Sequence, residues 1–416
     1  MGFIKYQKLE CGLQVVSEAI NNVQTIGLNW SVPAGVSTNE FDGDSVILSE
    51  LIQRGSGEYS SKEYNEKLDL LGVGRSASCG IELLRVSGVM LGSVLLDSLP
   101  LLGGCILNPA LPENDLIPCK NLCLQAIQSL SDNPSQLCSV VLNKQHIPPP
   151  FNRSSYGETS CIGSATLGRL NKVHKNSFVP EGSILAVAGK VDHGELVRHI
   201  EKLVSKWNGT NSQITEESTP TKGVHWVEQD SSQTHIGIAF DSPNASSENR
   251  LLESVAMSVL GGASSGRLFT NVRQRKSLCY SVSAHYSPSK NRSLTRIHAG
   301  TTPERASETV NVCLEQLSNL RNGISESEFN RTILRMKSAV VMGGESTIAR
   351  SGALLRDQYA LGRTRSLTEL LQEIDGLTHK EVNKWLENRD FGQLTLVTLG
   401  PNEVSVDEHL LGVNQS

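Results

Sequence analysis

The sequence predicts an α+β protein of two similar domains, each an antiparallel or mixed sheet covered by helices on one face, related by internal duplication. Predicted helices and strands are segregated along each half and do not alternate as strict βαβ units. The second half also repeats the pattern of the first. Its strand HIGIAFDSP resembles TIGLNWSVP, and its strand LTRIHAG, which precedes a helix, resembles LLRVSGV, which also precedes a helix. With 416 residues the chain is longer than a single hydrophobic core usually supports, so at least two domains are expected.

The domain boundary is predicted from composition. Residues 209–223 are polar, rich in Ser, Thr, Asn and Gly, and show no periodicity, which is typical of a linker. We therefore expect an N-terminal domain over residues 1–208 and a C-terminal domain over residues 224–416.

In the first half, residues 12–33 predict a hairpin of two strands, the second with alternating apolar residues. The stretch DSVILSELIQRGSG predicts a helix with Asp44 as N-cap and an end at Gly55. Two strands and further helices follow, one of them over residues 113–130. A buried strand, SILAVAG, then leads into a helix capped by Asp192.

In the second half, residues 249–260 predict a helix, and SGRLFTNVRQRKS predicts another after a Gly-containing loop. Two strands follow, CYSVSAHYSP and LTRIHAGTT, and then a helix over residues 304–320. The remaining chain predicts helices over 325–342, 348–361 and 380–386, and a final strand QLTLVTLG.

Composition excludes several classes of protein. The net charge is −5, whereas proteins that bind nucleic acid usually carry an excess of positive charge, so nucleic acid is not an expected partner. No apolar run is long enough to span a membrane. The first residues lack an apolar signal region and an Arg-rich leader, so a cytoplasmic location, in a bacterium, is expected. The nine cysteines are scattered, with Cys119 and Cys123 as the one helically spaced pair, which indicates reduced thiols.

The predicted helix at residue 44, the RGSGEYSSKE segment and the following helix resemble the pitrilysin/insulinase family of zinc peptidases. That family includes mitochondrial processing peptidase and the core subunits of respiratory complex III. Its active members carry H-x-x-E-H on the first helix, with both His rings facing one zinc ion and the Glu as general base.

The resemblance places apolar residues at every zinc-ligand position. Glu50 matches the motif's Glu, but Ile47 and Leu51 stand at the two His positions. The third ligand, a Glu on a later helix, is matched by Ala126. None of these three side chains has a lone pair for a metal, so no zinc or other cofactor is expected in this chain. Glu50 is then vestigial, and we expect it to face solvent or to pair with a Lys or Arg, for example Arg54.

A second segment keeps the residues that the family implies for substrate contact. In SSGRLFTNVRQRKSLCYSVSAHY, Arg273 and Tyr280 match, in type and spacing, an Arg and a Tyr that touch substrate near the scissile bond in active members. A guanidinium can hold a carbonyl or carboxylate in a fork of N–H donors, and a phenol can donate to an oxyanion. The alternative is that Arg273 is one more surface charge and Tyr280 an ordinary strand aromatic.

No other catalytic constellation is evident. His193 and His199 lie on opposite sides of one helix, whereas His285 and His298 lie on neighbouring strands without an evident third ligand. A relocated metal site formed only in three dimensions stays open. G-x-S-x-G and phosphate-binding loops are absent, so an active hydrolase with a different site ranks last.

Two hypotheses remain. In the first, the chain is the non-catalytic subunit of a two-chain zinc metallopeptidase, and it contacts an extended peptide through Arg273 and Tyr280. Zinc is then expected only in the partner subunit, which belongs to the same family. In the second, the chain is a scaffold that forms a homodimer and has no peptidase role, as in the complex III core subunits.

Overall fold

A computed structural model describes residues 3–406 of the chain. Its strands are β1 (Phe3–Lys8), β2 (Gln14–Ala19), β3 (Thr25–Val32), β4 (Gly74–Cys79), β5 (Leu84–Leu91), β6 (Ile184–Gly189), β7 (Val224–Glu228), β8 (Thr234–Asp241), β9 (Cys279–Ser287), β10 (Leu294–Thr301) and β11 (Thr395–Gly400).

The α-helices are α1 (Asp44–Leu51), α2 (Ser61–Leu70), α3 (Leu95–Leu107), α4 (Glu113–Gln128), α5 (Pro134–His146), α6 (Thr159–Gly163), α7 (Leu167–Ser177), α8 (His193–Leu203), α9 (Arg250–Gly261), α10 (Ala306–Ser318), α11 (Glu326–Glu345), α12 (Thr347–Leu361), α13 (Leu367–Asp375) and α14 (His379–Glu387). A π-helix covers Phe269–Arg275. Among residues 3–406, no helix combines the length and the apolar character needed to cross a membrane.

The chain forms two compact units, and each takes one segment from the other half of the sequence. Unit 1 contains residues up to 129, 149–217 and 341–366; unit 2 contains residues 130–148, 218–340 and those from 367 onward. The division predicted from the linker at 209–223 instead placed residues 130–148 in the N-terminal domain and residues 341–366 in the C-terminal domain. The units therefore differ from the predicted sequence halves by these two exchanged segments.

Unit 1 contains a six-stranded mixed sheet with the order β1-β2-β6-β3-β5-β4. Strand β6 lies between β2 and β3, parallel to the first and antiparallel to the second. The predicted hairpin over residues 12–33 is therefore wrong. Its two strands are consecutive in sequence, but a strand that comes about 160 residues later separates them.

Unit 2 contains a five-stranded mixed sheet with the order β7-β11-β8-β10-β9. Here β7 and β11 are parallel and all other neighbours are antiparallel. The strands β2 to β6 of unit 1 have the same order and the same relative directions. This shared topology confirms the α+β prediction of two similar domains, with mixed sheets covered by helices.

Each sheet buries a main core on one face, and an exchanged helix covers the other. In unit 1, Trp30 and the apolar residues of α1, α3 and α8 form the main core. On the opposite face, Leu354 and Leu355 of α12 pack against Val16 and Ile184. In unit 2, α5 packs in the same way on β8 and β11. The prediction of helices on one face only is thus incomplete.

Candidate functional site

The helix that corresponds to the family's zinc motif is α1. It begins at Asp44, but its N-cap is Gly43, whose φ of 123° is readily accessible only to glycine. The buried carboxylate of Asp44 instead accepts from Arg169 of α7, with Nε at 2.9 Å and Nη2 at 2.7 Å from Oδ1. The predicted capping role of Asp44 is therefore wrong, and the residue anchors the helix through an ion pair.

The residues at the two His positions belong to the core of unit 1. Ile47 and Leu51 each have a relative exposure of 0%, and both pack in the main hydrophobic cluster. Helix α1 packs against α4, the helix that carries Ala126. Glu50, in contrast, is partly exposed at the edge of this cluster. The first helix therefore presents apolar packing where active members present metal ligands.

Thiols on α4 lie beside Glu50. Cys119 and Cys123 are one turn apart and buried, and Ala126 continues the same face of the helix. Burial raises the pKa of Cys123 to about 12, and the Glu50 carboxylate acts in the same direction. Burial also raises the pKa of Cys119, although the neighbouring Arg54 guanidinium opposes this shift. Both thiols are therefore protonated near neutral pH, and a protonated thiol is a poor metal ligand.

The zinc ion implied by the family does not fit these residues. All three ligand positions carry hydrocarbon side chains, and two of them are fully packed. Over residues 3–406 no group of three or more His, Cys, Asp or Glu side chains is arranged to hold a metal ion. The expected pairing of Glu50 with Arg54 is not among the ion pairs of this part of the chain; Arg54 lies against Cys119 instead.

The second candidate site is formed by the π-helix and the start of β9 in unit 2. The π-helix replaces the α-helix predicted for this segment, and π-helical turns are frequent at functional sites. Val272 and Leu278 are buried, and the Leu278 N–H donates to the Val272 carbonyl at 2.9 Å. Ser277 turns the chain with a φ of 52°. This turn brings the end of the helix close to the beginning of the strand.

Arg273 and Tyr280 project from this turn into solvent. The Arg273 guanidinium lies 4.9 Å from the centre of the Phe269 ring, one turn earlier on the helix. Tyr280 is 63% exposed. It is the extra residue of a β-bulge, because Cys279 pairs with Thr301 and Ser281 with Gly300. Bulges commonly aim a side chain next to an active site. The side chain of Tyr280 is thus displayed without contributing to the core.

A half-buried arginine, Arg267, fixes the chain immediately before the π-helix. Arg267 donates to Glu328 of α11 through Nε at 2.8 Å and Nη2 at 3.0 Å, and also to the carbonyl of Gly323. Burial alone would raise the pKa of Glu328, but the hydrogen bonds from Arg267 and Ser325 dominate and lower it to about 2. Glu328 also completes the N-terminal cap of α11 with Ser325. The base of the candidate site is therefore rigidly fixed.

The arrangement offers two hydrogen-bond donors to a ligand. Among residues 3–406, Arg273 makes no ion pair within 4.0 Å, and Tyr280 is likewise without a side-chain hydrogen bond. A guanidinium and a phenol in these states can donate to peptide carbonyls or to a developing oxyanion.

The structure also groups histidines that sequence reasoning only partly recognised. His285 and His298 lie on adjacent antiparallel strands as expected, but the ring of His298 lies beside that of His235 on β8, with ring centres 5.7 Å apart. The His298 Nε2 is 3.0 Å from the hydroxyl of Ser135 on α5. Burial, with a smaller contribution from His235, lowers the pKa of His298 to about 4. The strand alternation could have indicated this pairing; the contact with α5 could not.

Known proteins match the chain along nearly its whole length. Residues 164–336 match the family model described as the peptidase M16 inactive domain. An uncharacterized zinc protease of Mycobacterium bovis is 27% identical over 409 residues, covering 94% of this chain and 92% of that protein. The uncharacterized zinc protease YmxG of Bacillus subtilis is 24% identical, covering 91% of this chain and 94% of its own.

Solved structures agree in fold. A peptidase M16 inactive domain from Pseudomonas fluorescens has a TM-score of 0.87 at 18% identity, over 97% of this chain and 99% of that one. A protease from Helicobacter pylori has a TM-score of 0.85 at 19% identity, over 96% and 100%. The inactive-domain match supports a non-catalytic member. Together these matches support membership of the chain in the pitrilysin/insulinase family of peptidases, M16.

Proposed function

We propose that this chain is the non-catalytic subunit of a two-chain zinc metallopeptidase. Its role is to complete the peptide-binding chamber and to contact an extended substrate through Arg273 and Tyr280. Zinc belongs to the partner subunit of the same family, which carries an intact H-x-x-E-H motif. The chain itself binds no catalytic metal.

One observation supports this proposal: hydrocarbon side chains stand at the positions that the resemblance assigns to zinc ligands, whereas an Arg and a Tyr stand at those it assigns to substrate contact. Ile47 and Leu51 are fully buried, so the former ligand positions now serve the core. Arg273 and Tyr280 are exposed and have no evident packing role. The family resemblance assigns metal and substrate contact to different halves of the working unit, and this chain is suited to the second task alone. The match to an inactive-domain model is consistent with that division.

The first test identifies the partner. The tagged full-length chain is purified from the cells that express it, and co-purifying proteins are identified by mass spectrometry. The expected result is a chain of similar size whose sequence contains H-x-x-E-H. Recovery of a zinc-free homodimer that binds no peptide would contradict the proposal and favour the scaffold hypothesis.

The second test measures the two substrate-contact residues in the reconstituted pair. Arg273→Ala and Tyr280→Ala are each expected to lower kcat/KM for a fluorogenic peptide by about tenfold or more, since each removes one hydrogen-bond donor from the transition state. Arg198→Ala on α8 and Tyr6→Ala on β1, both exposed, are matched controls that should leave cleavage unchanged. Equal cleavage by all variants would exclude the proposed contacts.

A further inference from the structure

The charge of the chain is unevenly distributed around the candidate site. The whole protein has a net charge of −5, yet no Asp or Glu occurs between Glu253 and Glu304. The same stretch contains five arginines and two lysines: Arg267, Arg273, Arg275, Lys276, Lys290, Arg292 and Arg296. It also contains the π-helix, β9 and β10. Four of these seven, Arg267, Arg273, Arg275 and Lys276, precede Tyr280 and β9 and form a basic segment in an acidic protein.

Carboxylates from other elements neutralise only part of this charge. Glu328 pairs with Arg267, and Glu308 of α10 pairs with Lys276 at 3.2 Å. The Arg275 guanidinium donates to the neutral amide of Asn271 at 3.1 Å. Within residues 3–406, neither Arg273 nor Arg275 has a carboxylate partner within 4.0 Å. Arg275 also lines an open groove of about 430 Å³, together with Arg331 and the Arg267–Glu328 pair.

Strand β9, which follows the basic segment, is an edge strand. It ends the order β7-β11-β8-β10-β9, so within residues 3–406 one side of its backbone has no strand partner. Ser281, Ser283 and His285 are exposed along it. Its nine residues extend over about 27 Å at roughly 3.4 Å per residue, enough for a peptide of about eight residues. Edge strands of this kind bind extended peptides by adding a strand to the sheet.

We infer that the β9 edge and the basic segment before it bind an extended peptide rich in acidic residues. This inference rests on the proposed function and specifies its substrate class. The backbone of the peptide pairs with β9, Arg273 and Tyr280 contact its carbonyl groups, and its carboxylates lie near Arg275 and Lys276. A local basic surface on an acidic protein concentrates acidic ligands there and repels them elsewhere.

The test measures the binding of three labelled peptides to the full-length chain by fluorescence anisotropy. The peptides are twelve residues long and identical except at four positions, which are all Glu, all Gln or all Lys. At about 20 mM salt the Glu peptide should bind about tenfold more tightly than the Gln peptide, and the Lys peptide more weakly than both. At about 200 mM salt the preference should fall to about twofold because the charges are screened.

A charge-removing variant assigns the preference to the basic segment. Arg275→Gln with Lys276→Gln should abolish most of the tenfold preference for the Glu peptide over the Gln peptide. Lys202→Gln with Lys206→Gln, which removes the same charge from exposed positions on and after α8, is the matched control and should keep the preference. Thermal unfolding verifies that both variants fold as the parent does.

The outcomes separate this inference from the proposed function. Equal affinity of the chain for the three peptides overturns the acidic preference and leaves the proposed peptide-binding function unaffected. If the chain binds none of the three peptides, both the acidic preference and the proposed peptide-binding function are overturned. A preference that survives the loss of Arg275 and Lys276 overturns their assignment. Single-stranded DNA of equal charge that binds as tightly as the Glu peptide would show general polyanion binding and overturn the peptide inference. Unchanged binding by Arg273→Ala and Tyr280→Ala would contradict the proposed contacts alone.

Discussion

The former ligand positions in unit 1 and the Arg/Tyr segment in unit 2 contrast in what their side chains do for the fold. Ile47 and Leu51 are fully buried, whereas Tyr280 is 63% exposed. Interiors pack without voids, so the positions that the resemblance assigns to zinc ligands are filled by hydrocarbon. Exposed positions face no such demand, and neither Arg273 on the π-helix nor Tyr280 at the bulge belongs to the core of unit 2. Packing therefore explains the residues of the first site, whereas those of the second are not fixed by packing.

Leu51→Ala should have the largest effect on stability, because it opens a cavity at the former ligand position. We expect the free energy of unfolding to fall by about 3 kcal/mol, in the usual range for a buried leucine. Calorimetry of the full-length chain measures the change. Leu70→Ala, at a residue that is 87% exposed on α2, is the control and should alter stability by less than about 0.5 kcal/mol. A neutral Leu51→Ala would mean that the position is not part of a close-packed core.

Glu328→Gln tests what supports the open site. Losing the charge opposite Arg267 should lower the stability of unit 2 by about 1–3 kcal/mol at neutral pH. In the parent, the pKa of Glu328 is lowered to about 2, so its contribution is present above pH 4.5 and is lost as the pH falls towards 2. The variant should lack that portion of the acid sensitivity. Glu326→Gln, at an exposed position on the same helix, should retain it.

His298 gives unit 2 a second, milder pH dependence. Its pKa is lowered to about 4, mainly by burial, so the unfolded chain binds a proton before the folded one. Stability should therefore decrease by about 1–2 kcal/mol as the pH falls from 6.5 to 4, and this contribution should level off below pH 4. Urea unfolding across this range measures the slope. His298→Asn should reduce the slope, and the exposed control His199→Gln should not.

Arg273→Ala and Tyr280→Ala should have the smallest effect on stability. Neither side chain is part of the core of unit 2, so the free energy of unfolding should change by no more than about 0.5 kcal/mol. Thermal unfolding is sufficient to detect a larger change. A loss of 2 kcal/mol at either residue would give it a folding role and remove the contrast with Leu51.

Local patterns predicted the strands and most helices, because alternation and helical periodicity report which residues are buried nearby. The strand ILAVAG at β6 and the helix capped by Asp192 were placed this way, and the Asp192 side chain does accept from the Glu195 N–H. The hairpin over residues 12–33 was wrong because strand neighbours are chosen by the whole sheet. Nothing in those residues shows that β6 inserts between β2 and β3.

The candidate sites were predicted unevenly. Residue types alone show that Ile47, Leu51 and Ala126 carry no atom that could bind zinc, and their place at the ligand positions stays a prediction from the resemblance. Residue types could not reveal the thiols beside Glu50, because the contact of α4 with α1 joins residues about 70 positions apart. The π-helix and the bulge at Tyr280 were also beyond reach, since both depend on hydrogen-bond register. Helix α5 was not predicted, because its few buried residues, such as Cys138 and Leu142, give a weak pattern.

The exchanged segments bear on how this protein is made. Helix α12 covers one face of the unit 1 sheet, and the buried Arg350 on it forms an ion pair with Glu18 of β2. A ribosome must therefore synthesise most of the chain before unit 1 is complete, and until then Val16 and Ile184 on that sheet face are uncovered. Helix α5, in turn, leaves the exit tunnel long before the sheet on which it packs. Nascent chains of this protein should accordingly depend on chaperones that bind apolar surface until residue 366 has emerged.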